Sequence, residues 1–320
     1  MKSGKRTMMG DDDTAAALFP FPNPRVRGTD PQAKDLMPPG GGEHGCTEQD
    51  HSLATGRRDE GAPRHCCGGL VLCKYWESYC FEEDEYNLVV CNPATKKWAE
   101  LPPNPIQLQD EDEEYLCFDP AVPSRFMVFT HTWDFTEVTI YSSDTGRWTT
   151  VESGWIDKTP IGLPVFLNGT LHLMTTEYSI VTVDTEGKVW GQIDIPGNMR
   201  DSSDYPFIGQ SQERLYAWCI NDNVDVCQLL VWALEDYGGA KWALKDTVNV
   251  SELFGRDRYK YVEPLAIHPD CDLIFLTDQR GKAISYDMDS KKVHVIGTHE
   301  TFYGAIPYVP CFAEWPSDGH

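Results

Sequence analysis

The sequence predicts an all-β protein, a β-propeller of about five four-stranded blades, and three observations predict it. From Gly69 onward the chain is a succession of short β-branched and aromatic runs broken by Asn-Pro, Asp-Thr-Gly, Asn-Gly and Gly-Gly turns, with almost no helical periodicity. One unit then recurs: an apolar strand, a turn opened by Asp or Asn, and a second strand that starts near a Trp. Finally, the strands left over at the two ends of the chain match what is needed to close a ring.

Taken in order, residues 1–67 form the first segment. They are rich in Gly, Pro, Asp and Arg, contain PFPNP and PPGGG, and follow neither helical nor strand periodicity, so a disordered segment is expected there. The propeller is expected over 68–316. Its repeated hairpin reads VVCNPATKKWAEL around Trp98, VTIYSSDTGRWTTV around Trp148 and IVTVDTEGKVWGQI around Trp190. Two weaker copies follow, LLVWALEDYGGAKWALK around Trp242 and AISYDMDSKKVHVI around Val293. The steps between these residues are 50, 42, 52 and 51, the length of a four-stranded, kelch-type blade. The turn has a local cause: an Asp or Asn side chain accepts the turn's amide hydrogens while a tolerant residue takes positive φ. The Trp or Val that follows is expected to pack between neighbouring blades.

Each later period offers four strands, as in Tyr115–Asp119, Arg125–His131, Glu137–Ser143 and Arg147–Glu152. The first offers three, Gly69–Tyr75, Tyr86–Cys91 and Lys97–Leu101. The spare segment Pro307–Glu314 is therefore expected to complete the first blade as its innermost strand, because an open ring would leave unpaired edges. A lost upstream segment would make the count six with one blade incomplete.

Composition narrows the function. The formal charge is -23, of which about -22 falls on 68–320, and an acidic surface does not bind phosphate backbones. A nucleic-acid partner is excluded on that ground, and a basic or neutral protein fits better. No run of eighteen apolar residues exists, so no membrane span is expected. Asp11–Asp13 stand where the apolar stretch of a signal peptide would be, and the eleven cysteines have no disulfide-framework spacing. Reduced thiols and a cytoplasmic or nuclear location follow as expectations. The sequons at Asn168 and Asn249 are then not expected to be glycosylated.

Five segments in this order resemble a known family: GLVLC at Gly69–Cys73, VCNPATKKWAELPP at Val90–Pro103, FDPAVPSRFMVF at Phe118–Phe129, YSSDTGRW at Tyr141–Trp148 and FLNGTLHLMT at Phe166–Thr175. They look like the F-box-associated, kelch-like domain of plant F-box proteins, over roughly Cys67 to Pro316. The resemblance implies a domain that captures a protein substrate, while an N-terminal F-box docks on the Skp adaptor of an SCF ubiquitin ligase. Residues 1–67 depart from that pattern. Leu36-Met37-Pro38-Pro39 and Leu18-Phe19-Pro20 are the nearest strings to a leading Leu-Pro, and no helical run follows either. A Skp adaptor is thus a partner only if an F-box is present, and the chain reads as a truncated or divergent member.

Comparing the periods with one another separates scaffold from site. The Trp turns repeat and are structural; the loops that differ leave from the opposite face, where binding is expected. Those loops carry Trp76, Tyr79, Trp133, Phe135, Trp155, Tyr205, Arg256, Arg258 and Tyr259, residue types that dominate interface hot spots. The same aromatics can instead cover blade ends. Two acidic runs, Glu82–Glu85 and Asp110–Glu114, fall in adjacent variable loops, where they either meet a basic partner or are simply solvated. His65-Cys66-Cys67 with Cys73 has poor spacing for zinc, and no nucleophile elbow, HExxH, Walker or GxGxxG motif is present. No cofactor, no metal and no catalytic residue are expected, and His131, His172, His268 and His294 read as core or turn histidines. The alternatives kept are a propeller scaffold without a ubiquitin role, and a carbohydrate-binding or hydrolytic propeller with carboxylates at the pore mouth.

Overall fold

A computed structural model describes residues 17–19, 62–75, 86–106, 113–123, 125–132, 136–155, 158–202, 205–222, 226–255, 262–278, 280–298 and 306–312. A short strand β1 (Ala17–Phe19) precedes the first blade, which consists of β2 (Ala62–Cys67), β3 (Leu70–Tyr75), β4 (Asn87–Asn92) and β5 (Lys97–Glu100). Blade 2 is β6 (Glu113–Phe118), β7 (Phe126–His131), β8 (Glu137–Ser142) and β9 (Arg147–Glu152). Blade 3 is β10 (Pro160–Leu167), β11 (Thr170–Thr175), β12 (Ser179–Asp184) and β13 (Trp190–Asp194). Blade 4 is β14 (Phe207–Ser211), β15 (Arg214–Asn221), β16 (Gln228–Asp236) and β17 (Lys241–Asn249). Blade 5 is β18 (Val262–Ile267), β19 (Leu273–Asp278), β20 (Lys282–Asp287) and β21 (Lys292–Thr298). Within the blades every pairing is antiparallel and sequential, and the five sheets form the predicted five-bladed ring.

The hairpin that carries the repeat has the predicted chemistry. Asn92 accepts the amides of Ala94 and Thr95, Asp184 those of Lys188 and Val189, Asp236 that of Gly238, and Asp287 those of Asp289 and Ser290. Blade 2 departs, because the carbonyl of Ser142 closes its turn by accepting the Thr145 and Gly146 amides. Each of the five turns also holds one residue in the left-handed region: Lys96, Gly146, Gly187, Ala240 and Lys291, two or three positions before the Trp or Val.

The core lies between blades rather than within one. The second and third strands are buried on both faces, as in FMVFTH of β7, while outer strands such as β9 face water. Leu70, Leu72, Val90, Leu116, Phe126 and Val128 join blade 1 to blade 2, and each side chain so buried contributes about 1.5–3 kcal/mol. The recurrent Trp closes these seams from outside. The Trp148 indole donates to the Pro102 carbonyl of the preceding blade at 2.7 Å, and that of Trp242 donates to the Asp194 carbonyl at 2.8 Å. Trp190 instead lies against Gly154 at the end of blade 2, where an added Cβ would come within 2.3 Å of the ring.

Two expectations need correction. Blade 1 is closed by its own innermost strand β2, not by the C-terminal strand. β2 reads APRHCC and lacks apolar alternation, so it falls within the segment expected to be disordered and places the start of the blades at Ala62 rather than Gly68. Its polar groups are satisfied across the seam: the Leu116 amide donates to His65 Nδ1 at 2.9 Å, and Cys67 Sγ donates to the Phe118 carbonyl at 3.3 Å. The C-terminal strand β22 (Ile306–Tyr308) pairs with β1 and sits between the innermost strands of blades 5 and 1. The rest of the segment expected to be disordered lies outside the described residues. Two short helices, a 3-10 turn at Gly197–Asp201 and α1 (Val250–Phe254), are the helical elements among the described residues.

Candidate functional site

In an antiparallel four-stranded meander the connections alternate between the ends of the sheet. Links from the second to the third strand, and from one blade to the next, therefore leave from the same end, opposite the first-to-second turn and the Trp turn. This end carries the loops that differ between periods.

At this end of blades 1 and 2 the described residues build a charged cluster. Lys74 is the penultimate residue of β3, Tyr86 directly precedes β4, and Glu114 follows the interblade link as the second residue of β6. The Lys74 ammonium lies 3.0 Å from Glu114 Oε1, the Tyr86 hydroxyl donates to the same oxygen at 2.6 Å, and Arg64 Nε donates to Oε2 at 3.3 Å. The Lys74 ammonium also lies 4.0 Å from the centre of the Tyr86 ring. The side chains of Glu114 and Lys74 are 0% and 2% exposed, so both charges are stripped of water and depend on each other. Glu114 therefore does not belong to a solvated acidic run; its neighbours Asp110–Asp112 and the run Glu82–Glu85 lie outside the described residues.

Beside this cluster the interblade link is pinned. Asn104 Nδ2 donates to the hydroxyls of Thr130 and Thr139, both at 2.9 Å, and the Ile106 amide donates to Asn104 Oδ1. The Tyr115 hydroxyl meets His131 Nε2 at 3.0 Å at the root of the β7–β8 loop. A water-sized cleft of about 20 Å³ between Tyr86, Leu101, Pro102, Asn104 and Trp148 lies against the same seam.

The structure sorts the sequence-predicted residues into three groups. Trp76, Tyr79, Trp133, Phe135, Arg256, Arg258 and Tyr259 lie outside the described residues. Tyr205 is on the loop end, 45% exposed, with its ring 5.4 Å from that of Tyr178. Trp155 is a correction: it is 2% exposed, packs edge-on against Trp190 at 4.9 Å, and donates its indole N–H to the Thr182 carbonyl at 3.4 Å. It fills the seam between blades 2 and 3 and has no surface to offer a partner. Sequence reasoning missed Arg64, Lys74, Tyr86 and Asn104, and read Glu114 only as the end of an acidic run. The available signal was Lys74 itself, a cation inside the apolar strand LVLCKY.

His65, Cys66, Cys67 and Cys73 do not converge. His65 and Cys67 face blade 2, while Cys66 and Cys73 face Cys91 and Tyr308. Among the described residues no group of three His, Cys, Asp or Glu side chains is placed to hold a metal, and the nine described cysteines are free thiols. Burial pushes the Cys67 and Cys219 thiols up to about 12, the opposite of what a reactive cysteine needs. His131, His172 and His268 are buried, and the Asp270 amide donates to His268 Nδ1; His294 is exposed. No helix among the described residues is long and apolar enough to cross a membrane.

Among solved structures, one described as "YCF48 bound to D1 peptide" is similar at 10% identity and TM-score 0.42, covering 76% of this chain and 68% of that one. "Crystal Structure of Mitotic Checkpoint Complex" gives 11% identity and TM-score 0.40 over 81% and 74%. "Oligogalacturonate lyase in complex with manganese" gives 10% and 0.45 over 72% and 62%. No curated protein matches the sequence. The family model for the β-propeller of "F-box protein At3g26010-like" matches residues 52–314, which takes in all twenty blade strands described above. The chain therefore belongs to the At3g26010-like F-box-protein β-propeller family.

Proposed function

We propose that this ring is a protein-capture module that binds a protein substrate through its loop end, in the manner of the recognition half of an SCF-type ubiquitin ligase. Family membership carries the reading, and the loop end supports it. There the desolvated Lys74–Glu114 pair, bonded also to Arg64 and Tyr86, and the pinned Pro102–Ile106 link form a rigid floor beneath loops of varied sequence. Rigid floors under variable loops suit recognition, because the partner then orders few groups on binding. The proposed role is binding rather than catalysis. With about -22 of formal charge on 68–320, a basic or neutral partner is favoured.

The test is quantitative affinity purification of the full chain against two loop variants, Trp76→Ala/Trp133→Ala and Arg256→Glu/Arg258→Glu. A discrete set of proteins retained by the wild type and lost by the variants, with unchanged thermal unfolding, is the expected outcome. Retention of the same set by both variants would sink the loop-end reading. Adding purified Skp adaptor to the full chain tests the ligase arm separately: binding supports membership of the complex, and no binding leaves recognition alone.

A further inference from the structure

The strand that closes the ring has one edge fit for ladder hydrogen bonds, and the chain's own N-terminal segment occupies it. β22 is held firmly from behind. Tyr308 is 4% exposed among Val71, Cys73, Cys91 and Trp98 of blade 1. Three residues on, the Cys311 carbonyl accepts the Asn92 Nδ2–H at 2.9 Å. Gly69, at φ 88°, lets this segment cross so close that an added Cβ would fall 2.5 Å from the Cys311 Cβ. The backbone of 306–308 is thus a fixed rail between the innermost strands of blades 5 and 1.

Successive residues of a strand aim their amides to opposite edges. Pro307 has no N–H, so the edge it serves cannot sustain a ladder, whereas Ile306 and Tyr308 aim theirs to the other edge. That competent edge is the one taken: Ala17 pairs with Tyr308, Leu18 with Pro307 and Phe19 with Ile306. A three-residue strand has no stability alone and exists here because the rail receives it. Its sequence, AAALF at Ala15–Phe19, is small and apolar. It belongs to the same chain as the rail, so the pairing is an intramolecular strand addition.

We propose that the edge of Ile306–Tyr308 is a strand-addition site for a short, extended apolar peptide, occupied in the resting chain by Ala17–Phe19 and exchangeable with a segment of the same kind presented in trans. Main-chain bonds supply the affinity in such sites and are indifferent to which chain delivers the strand. So short a ladder is weak, which makes the tethered segment displaceable rather than a permanent part of the fold. This site is a main-chain strand edge rather than the side chains of the loops, so its failure would leave the proposed protein-capture role standing.

The test is amide hydrogen exchange at 306–312 in the full-length chain. Replacing the two ladder donors, Ala17→Pro/Phe19→Pro, is expected to speed exchange at Ile306 and Tyr308 roughly ten-fold or more, as for loss of about two backbone hydrogen bonds. β7 should stay protected, showing that the ring is intact. A synthetic peptide of residues Thr14–Pro22 at millimolar concentration should restore protection in the variant, and the same peptide with proline at the two donor positions should not. Unchanged exchange in the variant, or failure of the peptide to restore protection, overturns the site. Wild-type protection that rises with protein concentration would mean that a second copy delivers the strand, and would overturn the tethered arrangement.

Discussion

The seams between blades 1 and 2 and between blades 4 and 5 are built inside out relative to each other. At the first, charge lies on the inner strands, where Lys74 and Glu114 meet almost without water and the partly exposed Arg64 caps the pair, and an aromatic side chain, Trp148, closes the rim. At the second, the inner strands pack mainly apolar side chains, with Trp218 over Gly209 and Ile267 and a half-buried Glu263, and the ion pairs stand at the rim. Lys245 reaches Asp272 at 2.7 Å and Asp289 at 3.5 Å, while Lys291 and Tyr286 both reach Asp246, at 2.6 and 2.8 Å. Val293 takes the Trp position in blade 5, and ion pairs run along the rim where an indole closes the earlier seams. At that rim Asp272 and Asp246 are buried but their lysines reach water, so each pair keeps one screened end, whereas Lys74 and Glu114 keep none. The costly arrangement lies under the loops that differ between periods.

The largest consequence falls on that buried cluster. Glu114→Ala leaves Lys74 buried without its carboxylate, and a loss of about 3–5 kcal/mol is expected in urea unfolding. The double variant Glu114→Leu/Lys74→Met should recover most of it, because an apolar pair of similar volume needs no water. If the single variant is as stable as the wild type, the cluster is not desolvated and the contrast between seams fails.

Acid sharpens the comparison, because the two most strongly shifted histidines belong to indole-closed seams. His65 bridges blade 1 to the Leu116 amide, and His172 of blade 3 meets the Tyr237 hydroxyl of blade 4 at 2.7 Å. Burial lowers the pKa of each from 6.5 to about 4, the backbone contacts opposing it only in part. Both are therefore neutral in the folded ring. Below pH 6.5 the unfolded chain takes up a proton on each while the folded chain does not until near pH 4. Stability falls across that window with falling pH and flattens beneath it, by about 3 kcal/mol per histidine. Urea midpoints measured from pH 7 to 4 should show this slope, and His172→Gln should halve it.

How much of this was legible in the sequence depended on what holds each part together. The five hairpins were legible because a turn opened by Asp or Asn and a following indole, replaced by Val293 in the last, are local devices repeated at near-constant steps. β2 was not legible as a strand: Arg64 and His65 are satisfied by blade 2, and nothing in APRHCC itself announces partners fifty residues away. The closing strand went to the wrong place for the same reason, since counting strands assumed that every strand reveals itself by apolar alternation. At the site, residue type alone could not tell a surface aromatic from a seam filler. Trp155 and Tyr205 both stand in variable loops, yet only the presence of Gly154 and Trp190 beside Trp155 buries it.

Indole removal comes next in size. Trp148→Ala and Trp242→Ala each lose a half-buried ring and one hydrogen bond to the neighbouring blade, an expected cost of about 2–3 kcal/mol. Phenylalanine at either position keeps most of the contact and should cost about 1 kcal/mol, the value of the lost N–H donor. These losses should be the same in 0.05 M and 1 M NaCl. A Phe variant as damaging as Ala would mean that the seam depends on the hydrogen bond rather than on the ring.

The rim ion pairs should respond in the opposite way. Lys245 is one-third exposed and Asp289 largely so, so Asp289→Asn is expected to change stability by less than about 0.5 kcal/mol. Lys245→Met also removes the contact to the more buried Asp272, whose remaining partner is the Tyr216 hydroxyl at 3.2 Å; about 1 kcal/mol is expected, shrinking in 1 M NaCl as the lost attraction is screened in the wild type too. Salt thus separates the two kinds of seam more cleanly than the size of the loss. A Lys245→Met effect that persists undiminished at high salt would show the blade 4–5 rim to be as desolvated as the Glu114 cluster, and the inverted relation between the two seams would be gone.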